Sequence, residues 1–314
     1  MQPILVTSYI NPDLDGVASV IAYAEFLQKT DKKNVAGIIG NIQDEVKYVL
    51  DRFGFSCPES IANADDFDDV ILVDVSDVKG LEGKISPGKV IEIIDHRKVH
   101  EANKFIKAKV QIELVGAVAT LIAERFMKNN IEISKESAIL LYGAIISNTL
   151  NFKGSVTTGR DKKAAEWLNQ VAKLPENFWK DLFIAKSDLS GDKLSDRIND
   201  DFKWFVIGGK KVGIAQIEMI DAKKLIDERG MEIIQTLEKL KSEMNLDFVF
   251  QNTIELESNK NFFVAGDTQT KKLLEKVLNV QFVGISAEKS ELILRKQIVP
   301  FLKQELEKIG YLFQ

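Results

Sequence analysis

The fold of the N-terminal half is decided by the stretch PILVTSYINPDLDG, residues 3–16. Residues 3–8 form a short apolar run, which is typical of a buried strand. Residues 16–29 carry apolar side chains at helical spacing, so a helix follows. Asp13 and Asp15 lie in the loop between the two elements. The stretch therefore predicts a strand, an acidic loop and a helix in succession.

The same arrangement recurs further along the chain. Apolar runs at residues 35–39, 70–73 and 90–94 indicate three more strands, and the last two end in Asp74 and Asp95. Strands that alternate with helical stretches predict parallel βαβ units, whose ligands bind beyond the carboxyl ends of the strands. The first half is therefore predicted to be an α/β domain with acidic residues at its ligand-binding edge.

The pattern changes in the second half of the chain. A polar segment at residues 187–193, which contains a glycine, is the best candidate for a linker. After it, two strand-like runs around Gly208-Gly209 predict a β-hairpin, which is followed by a long helix, two more strands and a C-terminal helix. We therefore expect a first domain over residues 1–186, a linker over 187–193 and a smaller α/β domain over 194–314.

Composition excludes several classes of protein. The net charge of −5 argues against a dedicated nucleic-acid binder, and no apolar run is long enough to cross a membrane. The N-terminus leads directly into a strand and lacks the basic region of a signal peptide. The single Cys57 rules out an internal disulfide and fits a reducing compartment. A cytoplasmic protein is the expected result.

Three predicted strand ends together suggest a metal site. Asp13 and Asp15 repel each other unless a cation lies between them, and Asp74 and His96 follow two other strands. The alternative is an Asp-rich turn in which Asp15 caps a helix, and Asn-Pro-Asp alone would favour it. Oxygen ligands with one imidazole suit Mn²⁺, Mg²⁺ or Co²⁺, and two such ions could activate water and screen phosphate charge.

These residues resemble the DHH phosphoesterase superfamily over nearly the whole chain, and most closely its manganese-dependent (family II) inorganic pyrophosphatases. The matching motifs are Asn11-Pro12-Asp13-x-Asp15, Val73-Asp74, Asp95-His96, Gly116-Ala117-Val118-Ala119-Thr120, Ser147-Asn148-Thr149, Asp201-Phe202-Lys203 and Arg295-Lys296-Gln297-Ile298-Val299-Pro300. The resemblance implies an N-terminal parallel-sheet DHH domain and a smaller C-terminal DHHA2-like domain.

The resemblance also implies roles for individual residues. Asp13, Asp15, Asp74 and His96 would be catalytic metal ligands for two Mn²⁺ ions, and Asp74 would bridge them. The residues that would bind substrate phosphate are Lys203, Arg295 and Lys296 on the second domain, together with Arg97 on the first. Closure of the two domains about residues 187–192 would exclude bulk water, and a homodimer formed through the first domain is expected.

Three positions depart from the family pattern. Tyr9 replaces a histidine ligand, and a phenol with a pKa of about 10 is a poor ligand at neutral pH. Arg97 replaces the second histidine of the Asp-His-His motif, as it does in the prune-like exopolyphosphatases, and could be a permanent phosphate partner. Asn148 replaces an aspartate, and its amide oxygen is an uncharged and weaker ligand.

These departures leave three functions open. The first is an inorganic pyrophosphatase with altered metal requirements, which hydrolyses diphosphate to two phosphates. The second is hydrolysis of short polyphosphate, and the third is a catalytically weakened protein that binds a phosphorylated ligand. The prediction adopted is metal-dependent hydrolysis of a phosphoanhydride, with pyrophosphate as the first candidate substrate.

Overall fold

The computed structural model describes residues 2–81, 83–187, 189, 191 and 193–311, and for residues 308–311 it describes the backbone alone. The chain forms two compact units, Met1–Lys186 and Ser187–Gln314. Of the linker expected over residues 187–193, positions 188, 190 and 192 lie outside the described residues. No helix in the described part of the chain is long and apolar enough to cross a membrane.

A six-stranded parallel sheet forms the centre of the first unit, as the sequence predicted. Its strands run in the order β3-β2-β1-β4-β5-β6. They are β1 (Ile4–Thr7), β2 (Asn34–Ile38), β3 (Glu59–Ser60), β4 (Val70–Val73), β5 (Val90–Asp95) and β6 (Lys109–Ile112). The central strands β1 and β4 are almost wholly buried, which explains their continuous apolar sequences.

Strand order places the ligand-binding crevice of this sheet. The order reverses between β1 and β4, and in open α/β sheets ligands bind outside the carboxyl ends of the strands at such a point. The loop with Asp13 and Asp15 follows β1, Asp74 follows β4, and His96 follows the neighbouring strand β5. The chain topology therefore brings three segments that are far apart in sequence to one edge of the sheet.

Six α-helices complete the described part of the first unit. Helix α1 packs against β1, β2 and β4 as well as against α3 and α4, and α4 also contacts α5 and α6. The helices are α1 (Leu14–Gln28), α2 (Asp44–Phe53), α3 (Val118–Asn129), α4 (Lys135–Asn148), α5 (Gly159–Ala172) and α6 (Phe178–Lys186). The apolar side chains that gave α1 its helical spacing, Val17, Val20, Ala24 and Leu27, are buried.

The second unit contains a separate mixed sheet, with strands in the order β11-β12-β10-β9-β8-β7. Strands β8 and β9 are parallel, and the other neighbours are antiparallel. The elements are α7 (Lys193–Asp200), β7 (Phe202–Ile207), β8 (Lys210–Met219), α8 (Ala222–Met244), β9 (Phe248–Glu255), β10 (Lys260–Val264), α9 (Thr268–Leu278), β11 (Phe282–Val283), β12 (Ser286–Lys289) and α10 (Arg295–Tyr311). The predicted class, α/β with a parallel first sheet and a smaller second α/β domain, is confirmed.

Candidate metal centre

The loop after β1 is shaped by the side chain of Asp13. This residue is the N-cap of α1, and its Oδ1 accepts hydrogen bonds from the backbone N–H groups of Asp15 at 2.9 Å and Gly16 at 3.1 Å. A Cβ at Gly16 would lie 2.8 Å from both Ser8 Oγ and Pro12 Cβ, so the tight turn requires glycine. One oxygen of the Asp13 carboxylate is thus occupied by the cap.

Asp15 is wholly buried and firmly oriented. Its carboxylate accepts hydrogen bonds from the backbone N–H groups of Val118 and Ala119, each at 2.8 Å, at the start of α3. The Asn148 side-chain amide donates to Asp15 Oδ2, also at 2.8 Å. Burial raises the pKa of Asp15 to about 7, although the nearby His96 acts in the opposite direction. The helix N-terminus and the amide therefore fix this carboxylate towards the crevice.

Asp74 follows β4 with a left-handed backbone, φ 60°, and is 3% exposed. Its backbone N–H donates to the carbonyl of Ile94 at 2.9 Å, which holds the turn against β5. Burial raises the pKa of Asp74 well above its ordinary value, and the neighbouring carboxylates of Asp15 and Asp13 raise it further. Such a carboxylate needs a counter-charge to stay ionised.

His96 completes a group of three candidate ligands. Its Nδ1 lies 2.9 Å from the carbonyl of Val115, so an Nδ1–H donated there leaves Nε2 as the acceptor, 3.5 Å from Asp74 Oδ1. Among the described residues, Asp15, Asp74 and His96 form a group whose ligand atoms all lie within 4.8 Å of one another. Two carboxylates and one orientated imidazole suit a divalent cation such as Mn²⁺.

Two of the departures from the family pattern are in contact with each other. The centre of the Arg97 guanidinium lies 5.6 Å from the centroid of the Tyr9 ring. Arg97 donates to the Asp74 carbonyl at 2.8 Å and to Asp77 Oδ2 at 3.0 Å, and its Nε lies 3.8 Å from Asp95 Oδ1. A permanent cation therefore lies beside the candidate metal ligands.

The side chain of Tyr9 is uncharged at this position. Its hydroxyl oxygen accepts a hydrogen bond from the Asp13 backbone N–H at 3.0 Å and also interacts with the Asp13 carboxylate. Burial raises the pKa of Tyr9 far above its ordinary value, and the charges of Asp13 and Asp74 raise it further. The phenol thus stays protonated at neutral pH, where it is a poor metal ligand.

A buried pair of opposite charges, Glu45 and Lys186, lies next to the loop after β1. Glu45 is 1% exposed, and its Oε1 accepts the Leu14 backbone N–H at 3.1 Å, between the two loop aspartates. Its Oε2 accepts the Ser147 hydroxyl at 2.5 Å and lies 3.5 Å from Lys186 Nζ. Glu45 therefore connects the loop after β1 with the end of α4, which carries Asn148.

The second unit brings three predicted phosphate-binding residues to one pocket. Its walls include Lys203, Gln216, Arg295, Lys296, Val299 and Pro300. Lys203 and Lys296 are exposed, whereas Arg295 is 9% exposed. The Arg295 guanidinium donates to the Asp201 carboxylate at 2.6 Å, to the Asp201 carbonyl at 2.5 Å and to the Ile214 carbonyl at 3.1 Å. The freely presented charges in this pocket are thus the two lysines.

The structure sorts the predicted ligands into two groups. Asp15, Asp74 and His96 converge, whereas Asp13 caps α1 and Asn148 hydrogen-bonds Asp15. Sequence reasoning missed Glu45, whose helix shows apolar spacing at Val46, Val49 and Leu50 that would have revealed the helix but not its buried acid. It also missed Asp161, whose carboxylate accepts the Gly116 N–H and the Thr120 hydroxyl and so holds the segment before α3. Glu45 has no recognisable local motif. Asp161 is the N3 residue of a capping box with Thr158, a pattern that predicts the start of α5 but not the bonds to Gly116 and Thr120.

Comparisons with known proteins agree with this geometry. Residues 3–145 match the DHH family, N-terminal domain, and residues 180–305 match the DHHA2 domain. The chain is 32% identical, over 97% of its own length and 99% of the relative's, to the manganese-dependent inorganic pyrophosphatase of Methanothrix thermoacetophila. It is 33% identical, over 96% of its length and 98% of the relative's, to the probable manganese-dependent inorganic pyrophosphatase of Bacillus velezensis.

A solved structure shows the same similarity. The putative family II inorganic pyrophosphatase of Methanococcus jannaschii superimposes with a TM-score of 0.67 at 32% identity, and the match covers 96% of this chain and 98% of that one. Both domains of the similar protein are therefore represented in this chain.

Proposed function

This chain belongs to the DHH family with a DHHA2 domain that includes the manganese-dependent inorganic pyrophosphatases, and we propose that it hydrolyses inorganic pyrophosphate to two phosphates. The observation that carries the proposal is the convergence of Asp15, Asp74 and His96 at the point where the strand order of the first sheet reverses. Ligands with these donor atoms hold cations that serve phosphoryl chemistry.

The first unit would contribute orientation and charge to the reaction. Bound Mn²⁺ or Mg²⁺ would lower the pKa of a water molecule and screen the negative charge of the substrate. The Val115 carbonyl fixes the ring of His96, and the Val118 and Ala119 N–H groups fix Asp15. Arg97, which is partly exposed, would stabilise negative charge on a phosphoryl oxygen.

The second unit would bind phosphate through a charged pocket of its own. Lys203 and Lys296 present ammonium groups to solvent in one pocket, which suits a phosphate with several negative charges. Arg295 would hold the start of α10 in place and would contact phosphate after exchanging its bond to Asp201. These roles rest on charge, exposure and the family relationship.

Phosphate release is the direct test of this function. The full chain would be freed of metal with a chelator and assayed on pyrophosphate and on tripolyphosphate, each with Mn²⁺, Mg²⁺ or Co²⁺. We expect release from pyrophosphate that depends on the added metal. Faster release from tripolyphosphate would instead indicate a short-chain polyphosphatase. A complete lack of release from both substrates with every metal would leave a phosphate-binding protein.

We further propose a cytoplasmic homodimer formed through the first unit. Strand β6 is the last strand of its sheet, and Ile106 and Leu114 near its two ends are 94% and 63% exposed. Exposed apolar side chains beside the outer edge of an edge strand favour pairing with a second copy. Light scattering coupled to size exclusion would give twice the chain mass for a dimer, and Ile106→Lys with Leu114→Lys should reduce it to the mass of one chain.

A further inference from the structure

The two polar groups of Asp74 have different kinds of partner. Its carboxylate Oδ1 lies 3.5 Å from the Nε2 atom of His96, a candidate ligand nitrogen. Its backbone carbonyl accepts a hydrogen bond from Arg97, a permanent cation, at 2.8 Å. A candidate metal ligand is thus already in contact with one positive charge that belongs to the protein.

Asp13 differs from Asp15 in what surrounds its carboxylate. Oδ1 of Asp13 accepts two backbone N–H groups, and the neutral hydroxyl of Tyr9 interacts with the same carboxylate. A carboxylate oxygen has about two lone-pair sites, so these two bonds occupy Oδ1. In the part of the chain that the structure describes, the group of ligand atoms within 4.8 Å does not include Asp13. Asp13 therefore lacks the converging donors that would hold an ion of its own.

The positive charge of Arg97 also disfavours a second metal ion at this site. The Arg97 guanidinium is held by Asp77 Oδ2 at 3.0 Å and lies 3.8 Å from Asp95 Oδ1, so two further carboxylates fix it in place. A fixed cation partly neutralises neighbouring carboxylates and repels a second cation. Its stacking against the Tyr9 ring places it at the side of the site where the family pattern loses a histidine.

We propose that this chain binds one divalent cation, held by Asp15, Asp74 and His96, and that the Arg97 guanidinium supplies at Asp74 the positive charge that a second ion would bring. The number of ions thus differs from the two expected from the sequence. The proposal rests on the proposed function only for the assumption that this site binds a metal. The site would then be mononuclear, and the Arg97 guanidinium would take the place of the second cation.

Metal stoichiometry tests the proposal without any measurement of activity. Metal-free full chain would be titrated with Mn²⁺ alone by calorimetry, and the loaded protein would be examined by electron paramagnetic resonance. We expect one Mn²⁺ per chain and the spectrum of an isolated ion. Two ions per chain, a spectrum of coupled ions, or no binding would each overturn it.

Two double variants test the role given to Arg97. Tyr9→His with Arg97→Gln removes the guanidinium and adds an imidazole beside Asp13, and it should raise the stoichiometry from one ion to two. The control, Tyr9→Phe with Arg97→Lys, keeps the charge and adds no ligand, so it should still bind one. If the first variant also binds only one, Arg97 is not what excludes the second ion. Circular dichroism checks folding, and the wild-type titration decides the ion number even if a variant fails to fold.

The outcomes separate this inference from the proposed function. One ion per chain without phosphate release would contradict the pyrophosphatase function and leave the mononuclear site standing. Phosphate release with two bound ions would support the pyrophosphatase function and contradict the mononuclear site.

Discussion

Lys186 Nζ lies 3.5 Å from Glu45 Oε2 inside the first unit, and the two side chains are 16% and 1% exposed. Burial by itself would raise the pKa of Glu45, but Lys186 and the hydrogen bonds from Ser147 and Leu14 together hold that pKa below its ordinary value. Glu45 therefore stays ionised next to the loop that carries Asp13 and Asp15, and Lys186 balances its charge. It also fixes the last residue of α6, where the first unit ends.

Lys186→Met should destabilise the first unit by about 3 kcal/mol, because it leaves the Glu45 carboxylate buried without its counter-charge. Adding Glu45→Gln should restore part of the loss, since the amide needs no cation. Urea unfolding would be followed by fluorescence in a Trp204→Phe background, in which the remaining Trp167 and Trp179 both belong to the first unit. The exposed Lys162→Met is the matched control, and an equal loss there would argue against a special role for the pair.

Glu25→Gln should lower stability at neutral pH and have little effect in acid. The Glu25 carboxylate accepts from the Ser134 N–H at 2.8 Å and from its hydroxyl at 2.6 Å. Burial acts to raise the pKa of Glu25, but the hydrogen bonds from Ser134 and the ion pair with Lys29 outweigh it and lower that pKa. The stabilisation is therefore complete above the unfolded-state pKa, about 4.3, and disappears as the pH falls through the lower folded-state value.

We expect Glu25→Gln to cost about 1–2 kcal/mol at pH 7, a typical value for hydrogen bonds to a charged group. Urea unfolding at several pH values between neutral and strongly acidic would show the difference from wild type shrinking as the pH falls. The exposed Glu176→Gln serves as the control. A difference that stayed constant across this range would contradict the assigned contacts.

Tyr9→His combined with Asn148→Asp should tighten Mn²⁺ binding by about 10-fold or more, the scale on which a residue around a metal site affects affinity. The first change supplies a neutral nitrogen near Asp13, and the second supplies a negative charge beside Asp15. Calorimetric titration with Mn²⁺ measures the change. Tyr48→His with Asn129→Asp repeats the same chemical changes away from the site, and an unchanged affinity in the first pair would show that the site is misplaced.

Arg295→Lys should mainly destabilise the second unit, whereas Lys296→Gln should mainly weaken substrate binding. The Arg295 guanidinium holds both Asp201 and the Ile214 carbonyl, and losing these bonds should cost about 2 kcal/mol. Faster hydrogen exchange in peptides from β7 and β8 would report that loss.

Lys296 is exposed, so its replacement should change stability by less than about 0.5 kcal/mol while raising KM for pyrophosphate. Lys272→Gln, an exposed change on α9, is the control and should leave KM unaltered. If Lys296→Gln left KM at the wild-type value, Lys296 would not bind phosphate.

Local patterns in the sequence were sufficient to predict most strands of the first sheet. Strands β1 and β4 are continuous apolar runs because they are almost wholly buried, and such runs can be recognised from the sequence alone. Strand β5 has two half-buried residues, one of them Glu92, but its apolar residues were still sufficient to predict it. Strand β6 was missed, because it lies at the edge of the sheet and its residues are at least partly exposed. Helices α2 and α9 were also missed, although their apolar side chains follow the helical period.

The candidate site could be predicted only in part from the sequence. Asp15, Asp74 and His96 follow strands, and parallel strands end at one edge, so their meeting could be foreseen. The contact of Asn148 with Asp15 and the position of Arg97 against Tyr9 could not, because they depend on side-chain directions set by the whole fold. Glu45 was invisible for the same reason, since its partners Leu14, Ser147 and Lys186 come from three distant segments.

The strand order also has a kinetic consequence. Strand β1 pairs with β4, where Leu5 lies opposite Val70, and β4 pairs in turn with β5, so the ligands meet only after distant segments have joined. A chain with only local helices and turns holds no such site, and closing long loops is slow. A metal ion that contacts only the assembled sheet would leave the rate of folding nearly unchanged and would slow unfolding instead. The ion would then determine how long the native state persists, while the chain alone determines how fast it forms.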